Sequence, residues 1–343
     1  MSLELTNHFQ ILRLKESVRQ HQEFKEALFH SPVRLAVGIV IRGVVRRLRN
    51  FLRRSEILRR TAACRPPQQL EQVPRFIATR NDAIDANHVL FMAVPSHAML
   101  ATTLPAIHLE SGNDRIIFVH AFYEREAQII FDRLDAYPDY DVVLTTAVPA
   151  IRDAFLARFD RHRAVCVEAP NQGRDILPFL LALNILDLQR YRYFIKIHTK
   201  RAPHLSDGGL WFRLNLEFLL GERTVSNAFF ALLDTDRPCL YGVESKPIQD
   251  HLENNRYWLA ALLGRKVEQA QEQFIPGSMF MGTGVLMQRL VARRFDMYPM
   301  EAEDGQLDGT LAHALERYFG CLATDEGGEC LAIESFLKKK GVA

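Results

Sequence analysis

Residues 193–200 read Tyr193-Phe194-Ile195-Lys196-Ile197-His198-Thr199-Lys200. The first five form a short apolar run holding one lysine, which predicts a strand buried inside a sheet. Its end is basic and polar. On an extended chain Lys196, His198 and Lys200 share one face, where three such groups repel unless an anion or an acid answers them. The same rhythm recurs upstream. Ile116-Ile117-Phe118-Val119-His120 predicts a strand, followed by a helix over about 124–134. Residues 140–146 predict the next strand and 151–159 its helix; 164–168 and 176–186 repeat the pattern. Short strands alternating with helices of this length imply βαβ units around a mainly parallel sheet. In such a sheet ligands bind beyond the carboxyl ends of the strands. Those ends carry His120, Thr145, Thr146, the loop 171–175 and the tip 196–200.

The chain of 343 residues is 48% hydrophobic and 24% charged, the balance of an ordered globule with one large core or two modest ones. A formal net charge of +2 neither favours nor excludes nucleic acid. No aromatic stacking platform is joined to a cationic groove, so no nucleic-acid partner is expected. Five cysteines without paired spacing argue against a disulfide framework and for a reducing compartment. No cysteine and histidine cluster has zinc-like spacing. The start lacks the order of a secretory signal, and no apolar run reaches the ~20 residues that span a bilayer. A cytoplasmic location is expected.

Four segments are expected: a helical leader over 1–65, a linker and accessory segment over 66–114, the main domain over 115–335 and a tail over 336–343. Between positions 34 and 60 nine arginines face a single acid, Glu56, among apolar residues such as Val37, Ile41 and Leu48. A helix over 33–60 would have one apolar and one cationic face, which suits an anionic membrane surface. A helix packed on the main domain with solvated arginines would look the same. Pro66-Pro67 ends the pattern.

The loop Asn171-Gln172-Gly173-Arg174-Asp175 joins the third strand to its helix. Gly173 permits a tight turn, Asn171 can support it, and Asp175 can cap the helix that follows. Arg174 gains nothing from a helix N-terminus, so it makes sense if a phosphate or carboxylate lies between them. A capped turn without function is the plainer account. Lys196 and Lys200 would meet a departing diphosphate with fixed positive charge. His198 would instead suit a general base. Phe274-Ile275-Pro276-Gly277-Ser278-Met279-Phe280-Met281 is a rigid turn entering an apolar run, which can wall an acceptor pocket or be simply a loop and a core strand. Asp308 is placed to cap the helix beginning near Leu311, and His313 and Glu316 are neighbours on it. Asp308 or Glu316 would serve as the base that deprotonates an attacking hydroxyl, Asp308 being favoured because loop ends approach substrates. Glu316 with Arg317 would equally make a structural ion pair.

These blocks resemble a known family. Residues 171–179, read N-Q-G-R-D-I-L-P-F, look like a signature of the rhamnan synthesis protein F family. So do Ile197-His198-Thr199-Lys200, Trp211 with Arg213, Pro276-Gly277-Ser278-Met279-Phe280, and Asp308-Gly309-Thr310 through Glu316-Arg317. The opening strand with His120 resembles the family's first block, and the likeness covers roughly 115–335. It implies a GT-A-like α/β domain, a single mainly parallel twisted sheet flanked by helices with an N-terminal helical extension. It implies a glycosyltransferase that takes a sugar, rhamnose or another deoxysugar, from a nucleotide-diphosphate donor. The acceptor would be a glycan or lipid-linked glycan of a bacterial surface polysaccharide. Other assembly proteins are implied partners, on the cytoplasmic face of the inner membrane. Donor binding falls to His120, Asn171, Gly173, Arg174, Asp175, Lys196 and Lys200; catalysis falls to Asp308, Glu316 or His198. GT-A enzymes place an acidic, metal-holding motif where this chain has Ile195 through Lys200, and no Asp or Glu occurs from Lys196 to Ala202. No cofactor and no protein-held metal are therefore expected, with inverting transfer by direct displacement. A noncatalytic glycan-binding or assembly protein with a degenerate transferase fold is the competing reading. A phosphate-processing hydrolase ranks last, because the acidic clusters it uses for metals are not evident.

Overall fold

The computed structural model describes residues 75–80, 88–94, 107–200, 208–233, 236–267, 271–293, 300 and 308–342. The leader over 1–65 and its basic stretch lie outside the described residues.

The central strand β3, with sequence RIIFVHA, follows strands β1 (Arg75–Arg80) and β2 (His88–Val94) and spans Arg115–Ala121. Its alternation feeds two cores. Ile116 and Phe118 face one, while Ile117 and Val119 face the other. Burial on both faces is why the strand reads as an unbroken apolar run. Helix α1 (Glu124–Leu134) follows, with Glu124 and Glu126 in its first turn and Arg133 in its last, complementing the helix dipole. Next come β4 (Asp141–Thr146) and α2 (Pro149–Arg158), where proline opens the helix without losing a needed donor. Then follow β5 (Ala164–Glu168), α3 (Ile176–Asn184) and β6 (Tyr193–His198). Helix α3 has eight of its nine residues buried, the pattern of a helix covered on all sides.

Beyond β6 lie α4 (Gly208–Leu219), α5 (Arg223–Phe230), β7 (Cys239–Gly242), β8 (Lys246–Pro247) and α6 (Leu252–Leu263). The chain continues through β9 (Gln273–Phe274), β10 (Phe280–Thr283), α7 (Gly284–Ala292), α8 (Leu311–Asp325), β11 (Glu329–Ala332) and α9 (Ile333–Lys339). Phe336 and Leu337 of α9 are buried, with Phe336 against Tyr241. No helix among the described residues is long and apolar enough to cross a membrane.

The main sheet has nine strands in the order β1-β2-β5-β4-β3-β6-β10-β7-β11. It is mostly parallel; β1 with β2, and β10 with both its neighbours, are antiparallel. Flanking helices make it the α/β fold expected. Two strands from the segment 66–114 extend it, β2 pairing with β5. From β3 the chain steps outward through β4 to β5, then returns to lay β6 on the other side of β3. That reversal opens a crevice at the carboxyl ends of β3 and β6, where ligands bind in open α/β sheets. Across it His120 pairs in register with His198.

Candidate functional site

A cleft of about 620 Å³ opens at that reversal, a size suited to a small organic ligand. The end of β3 supplies His120 and the β5–α3 loop supplies Asn171, Arg174 and Asp175. His198, Thr199 and Lys200 come from the end of β6, and Asp308, His313, Glu316 and Arg317 from α8 and the turn before it. Of the ten residues singled out in the sequence, only Gly173 and Lys196 do not line it; both are buried. Because β10 runs antiparallel to β6, with Phe280 opposite Lys196, the turn before β10 arrives beside the β6 tip.

Lys196 is 1% exposed and does not reach the cleft surface. Its ammonium donates to the Asp175 carboxylate and to the carbonyl of Ser278 at 2.9 Å, and it lies 5.4 Å from the ring centres of Phe179 and Phe280. The Ser278 hydroxyl also donates to Asp175. Burial would raise the Asp175 pKa, but His198, Lys196 and the Ser278 hydroxyl together hold it well below the carboxylate range. Asp175 therefore does not cap α3; no side-chain cap bond is made there. The acid that answers the basic strand tip is this one, 21 residues upstream.

His198 donates through Nε2 to the Gly277 carbonyl at 2.8 Å, and its Nδ1 lies 3.1 Å from the Thr199 carbonyl. The Nε2 bond holds the turn over 276–278, and Nδ1 faces the Thr199 carbonyl. Burial first, then Lys196 and Lys200, push its pKa down against Asp175. Burial likewise pushes His120 down to about 4, and its Nδ1 stands 3.0 Å from the Thr145 hydroxyl. The Thr199 hydroxyl accepts from the backbone N–H of Phe122, at 2.9 Å, and of Tyr123, tying that loop to the β6 tip.

Three non-glycine residues among those described have positive φ: Arg174 at 56°, His251 at 54° and Ser278 at 51°. All three line this cleft. Such strain costs ~1–3 kcal/mol per residue and gathers where function fixes the geometry. Gly173, at φ 62°, is required as well, since a Cβ there would lie 2.7 Å from that of Leu177. Lys200 packs its ammonium 4.3 Å from the Trp211 ring centre, and Trp211 in turn covers Gly277, where a Cβ would collide with the indole. Burial lowers the Lys200 pKa, with Arg174 and Lys196 adding to the effect and Glu316 and Asp175 opposing it. Among the described residues no carboxylate is ion-paired or hydrogen-bonded to Lys200.

The two acids differ. Asp308 accepts from Asn255 at 2.9 Å and Asn254 at 3.0 Å, and lies 4.0 Å from Arg317. Burial would raise its pKa, but His313, Asn255, Arg317 and Asn254 outweigh burial and lower it. It does not cap α8; Thr310 does, in a capping box with His313. Glu316 accepts the backbone N–H of Gly277 and lies 3.9 Å from Arg317. Burial raises its pKa despite Arg317 and that bond, Asp175 adding to the rise. Arg317 is itself buried, donating to the carbonyls of His313 and Asp250 and lying over the Phe274 ring.

Sequence reasoning missed Ser278 as a binding partner of Asp175 and did not place Lys246 and Asp250 at the cleft. A Gly-Ser pair directly after proline was the available signal for a strained turn. Among the described residues no group of three or more His, Cys, Asp or Glu side chains is arranged to hold a metal ion.

No solved structure matches the chain. It is 28% identical over 236 residues to Uncharacterized protein WxcX of Xanthomonas campestris pv. campestris strain B100, covering 64% of this chain and 33% of that protein. The same protein from a second strain matches at 28% over 233 residues, with the same coverage. The chain thus spans about a third of the length of the curated relatives it matches. The family model described as rhamnan synthesis protein F matches residues 51–238. That match starts well before position 115, where the likeness read from the sequence begins. It takes in the 171–175 loop and the β6 tip, while the 276–280 turn and α8 lie beyond it. The chain belongs to the rhamnan synthesis protein F family, a family named for polysaccharide synthesis.

Proposed function

We propose that the cleft is the active site of a glycosyltransferase that moves a sugar, rhamnose or another deoxysugar, from a nucleotide-diphosphate donor onto a bacterial surface polysaccharide. The observation that supports this reading best is Lys200, a cation packed on Trp211 without a carboxylate partner among the described residues, in one cleft with Glu316. Lys200 and Arg174 would stabilise the departing diphosphate, as fixed charges aimed at developing negative charge do. Glu316, its pKa raised by burial, takes the acceptor proton as the hydroxyl oxygen bonds to the anomeric carbon and the bond to diphosphate breaks. Direct displacement inverts that carbon. Glu316 replaces Asp308 as the preferred base, because Asp308 is held down by its asparagine and arginine neighbours. The basic tip in place of an acidic motif leads us to propose transfer without a protein-held metal. The acceptor would be a glycan or lipid-linked glycan, met at the inner membrane alongside other assembly proteins.

One observation favours the noncatalytic glycan-binding reading: Glu316 and Asp308 both already accept protein hydrogen bonds. Turnover separates the two. Purified protein is incubated with a panel of nucleotide sugars and glycan acceptors, with and without chelator. Release of nucleoside diphosphate together with a lengthened, inverted product supports the transferase; binding of glycan without release supports the alternative. Loss of activity in chelator, restored by magnesium or manganese, would overturn the metal-free mechanism.

A further inference from the structure

His313 sits one turn before Arg317 on α8, 8% exposed, and is among the residues that line the cleft. Its Nδ1 lies 2.7 Å from the Thr310 hydroxyl and 3.3 Å from the Thr310 backbone N–H. A backbone N–H can only donate, so Nδ1 carries a lone pair and the neutral ring bears its hydrogen on Nε2. The capping box thus fixes the tautomer. Nε2 is buried and has no hydrogen-bond partner. A buried donor left unmade costs ~1–3 kcal/mol, and such groups in native proteins call for an explanation. The helix cap explains Nδ1 alone; it does not explain an unpaired donor on a residue that lines the cleft.

Glu316 is three residues along the same helix, so the two side chains are neighbours. One offers a carboxylate, which accepts; the other offers an N–H, which donates. A sugar hydroxyl needs both, because its hydrogen donates and its oxygen accepts. We infer that His313 and Glu316 together hold one hydroxyl of a carbohydrate substrate, His313 donating to the oxygen whose proton Glu316 takes. The inference rests on Glu316 being the base. Arg317, whose Nε is likewise buried without a partner, braces the pair by donating to the His313 carbonyl at 3.0 Å. The tautomer sets specificity: an ether oxygen at this position would satisfy His313 and leave Glu316 without its donor.

Three substitutions separate the ring's two jobs. His313→Asn can keep the cap contact to Thr310 and lacks the Nε2 donor. His313→Gln places an amide N–H near the Nε2 position and gives up the cap, while His313→Ala loses both. The probes are methyl α-L-rhamnopyranoside for the hydroxyl subsite and dTDP for the diphosphate subsite, each titrated into the full chain. In spectra of ¹⁵N-histidine-labelled protein the free His313 is expected as the Nε2–H tautomer, with its Nε2 resonance moving as the glycoside is added. Asn and Ala should weaken glycoside binding about tenfold and Gln by less than about threefold, the scale of one hydrogen bond. dTDP affinity should stay unchanged in all three. An Nε2 resonance unmoved by the glycoside, an Asn variant that binds it as well as wild type, or a Gln variant as weak as Ala would each overturn the inference. Failure of dTDP to bind at all speaks against the transferase reading and leaves the glycoside result to decide this one.

Discussion

Lys196 of β6 and Asp175 at the head of α3 form an ion pair at the wall of the cleft, shared with Ser278 at the end of the turn before β10. Three chain segments far apart in sequence are joined by one buried charge pair. Removing one partner strands the other charge, so Lys196→Met should destabilise the protein by ~3–5 kcal/mol in urea unfolding. Asp175 has a depressed pKa in the folded state. Its contribution is therefore full above its unfolded value, near 4, and is lost as pH falls toward the folded value. The wild type should lose stability on acidification, and Asp175→Asn should flatten that dependence. Equal acid sensitivity of the two would refute the assignment.

Glu316→Gln should lower kcat by roughly 10²–10⁴-fold, the usual worth of a general base, while leaving the donor Kd unchanged. The amide oxygen can still accept from Gly277, so the turn should hold. Glu316 has a raised folded pKa. Its contribution to stability is thus present at low pH and lost as pH rises through the folded value. At neutral pH the Gln variant should be at least as stable as wild type. In the wild type the acidic limb of the rate profile should sit above the pKa of an ordinary glutamate.

Lys200→Ala should weaken nucleoside diphosphate binding by about 10–100-fold, as loss of a charged hydrogen bond does. Glycoside affinity should not change. Arg174, at φ 56°, pays a conformational cost that glycine does not. Arg174→Gly relieves that strain and should lose diphosphate affinity. A variant that loses stability along with binding would show Arg174 to be structural.

Liposome flotation tests the basic stretch over 33–60. Full-length protein should float with anionic vesicles and protein beginning at residue 65 should not. Equal flotation would contradict membrane contact.

Strands β3, β4, β5 and β6 were legible because each is a dense apolar run buried on both faces and is followed by a polar tip. The far half was not. Strands β7, β8, β9, β10 and β11 have two to four residues each, too short for periodicity to speak. Without them the antiparallel β10 stays hidden, and with it the contact of Ser278 to Asp175 over 103 residues of separation. The caps misled for a related reason. Asp175 and Asp308 stand at the right place to cap, but a lysine and a pair of asparagines, brought near only by the tertiary fold, claim their carboxylates. Thr310 was the cap in plain view, three residues before His313.

The central claim is that this cleft binds a nucleotide-diphosphate sugar through Lys200. Calorimetric titration of a nucleotide-sugar panel into wild type and Lys200→Ala, with chelator present, tests it most directly. The account predicts that one donor binds the wild type and binds the variant at least about tenfold more weakly. No binding by any donor, or equal binding by both proteins, would contradict it.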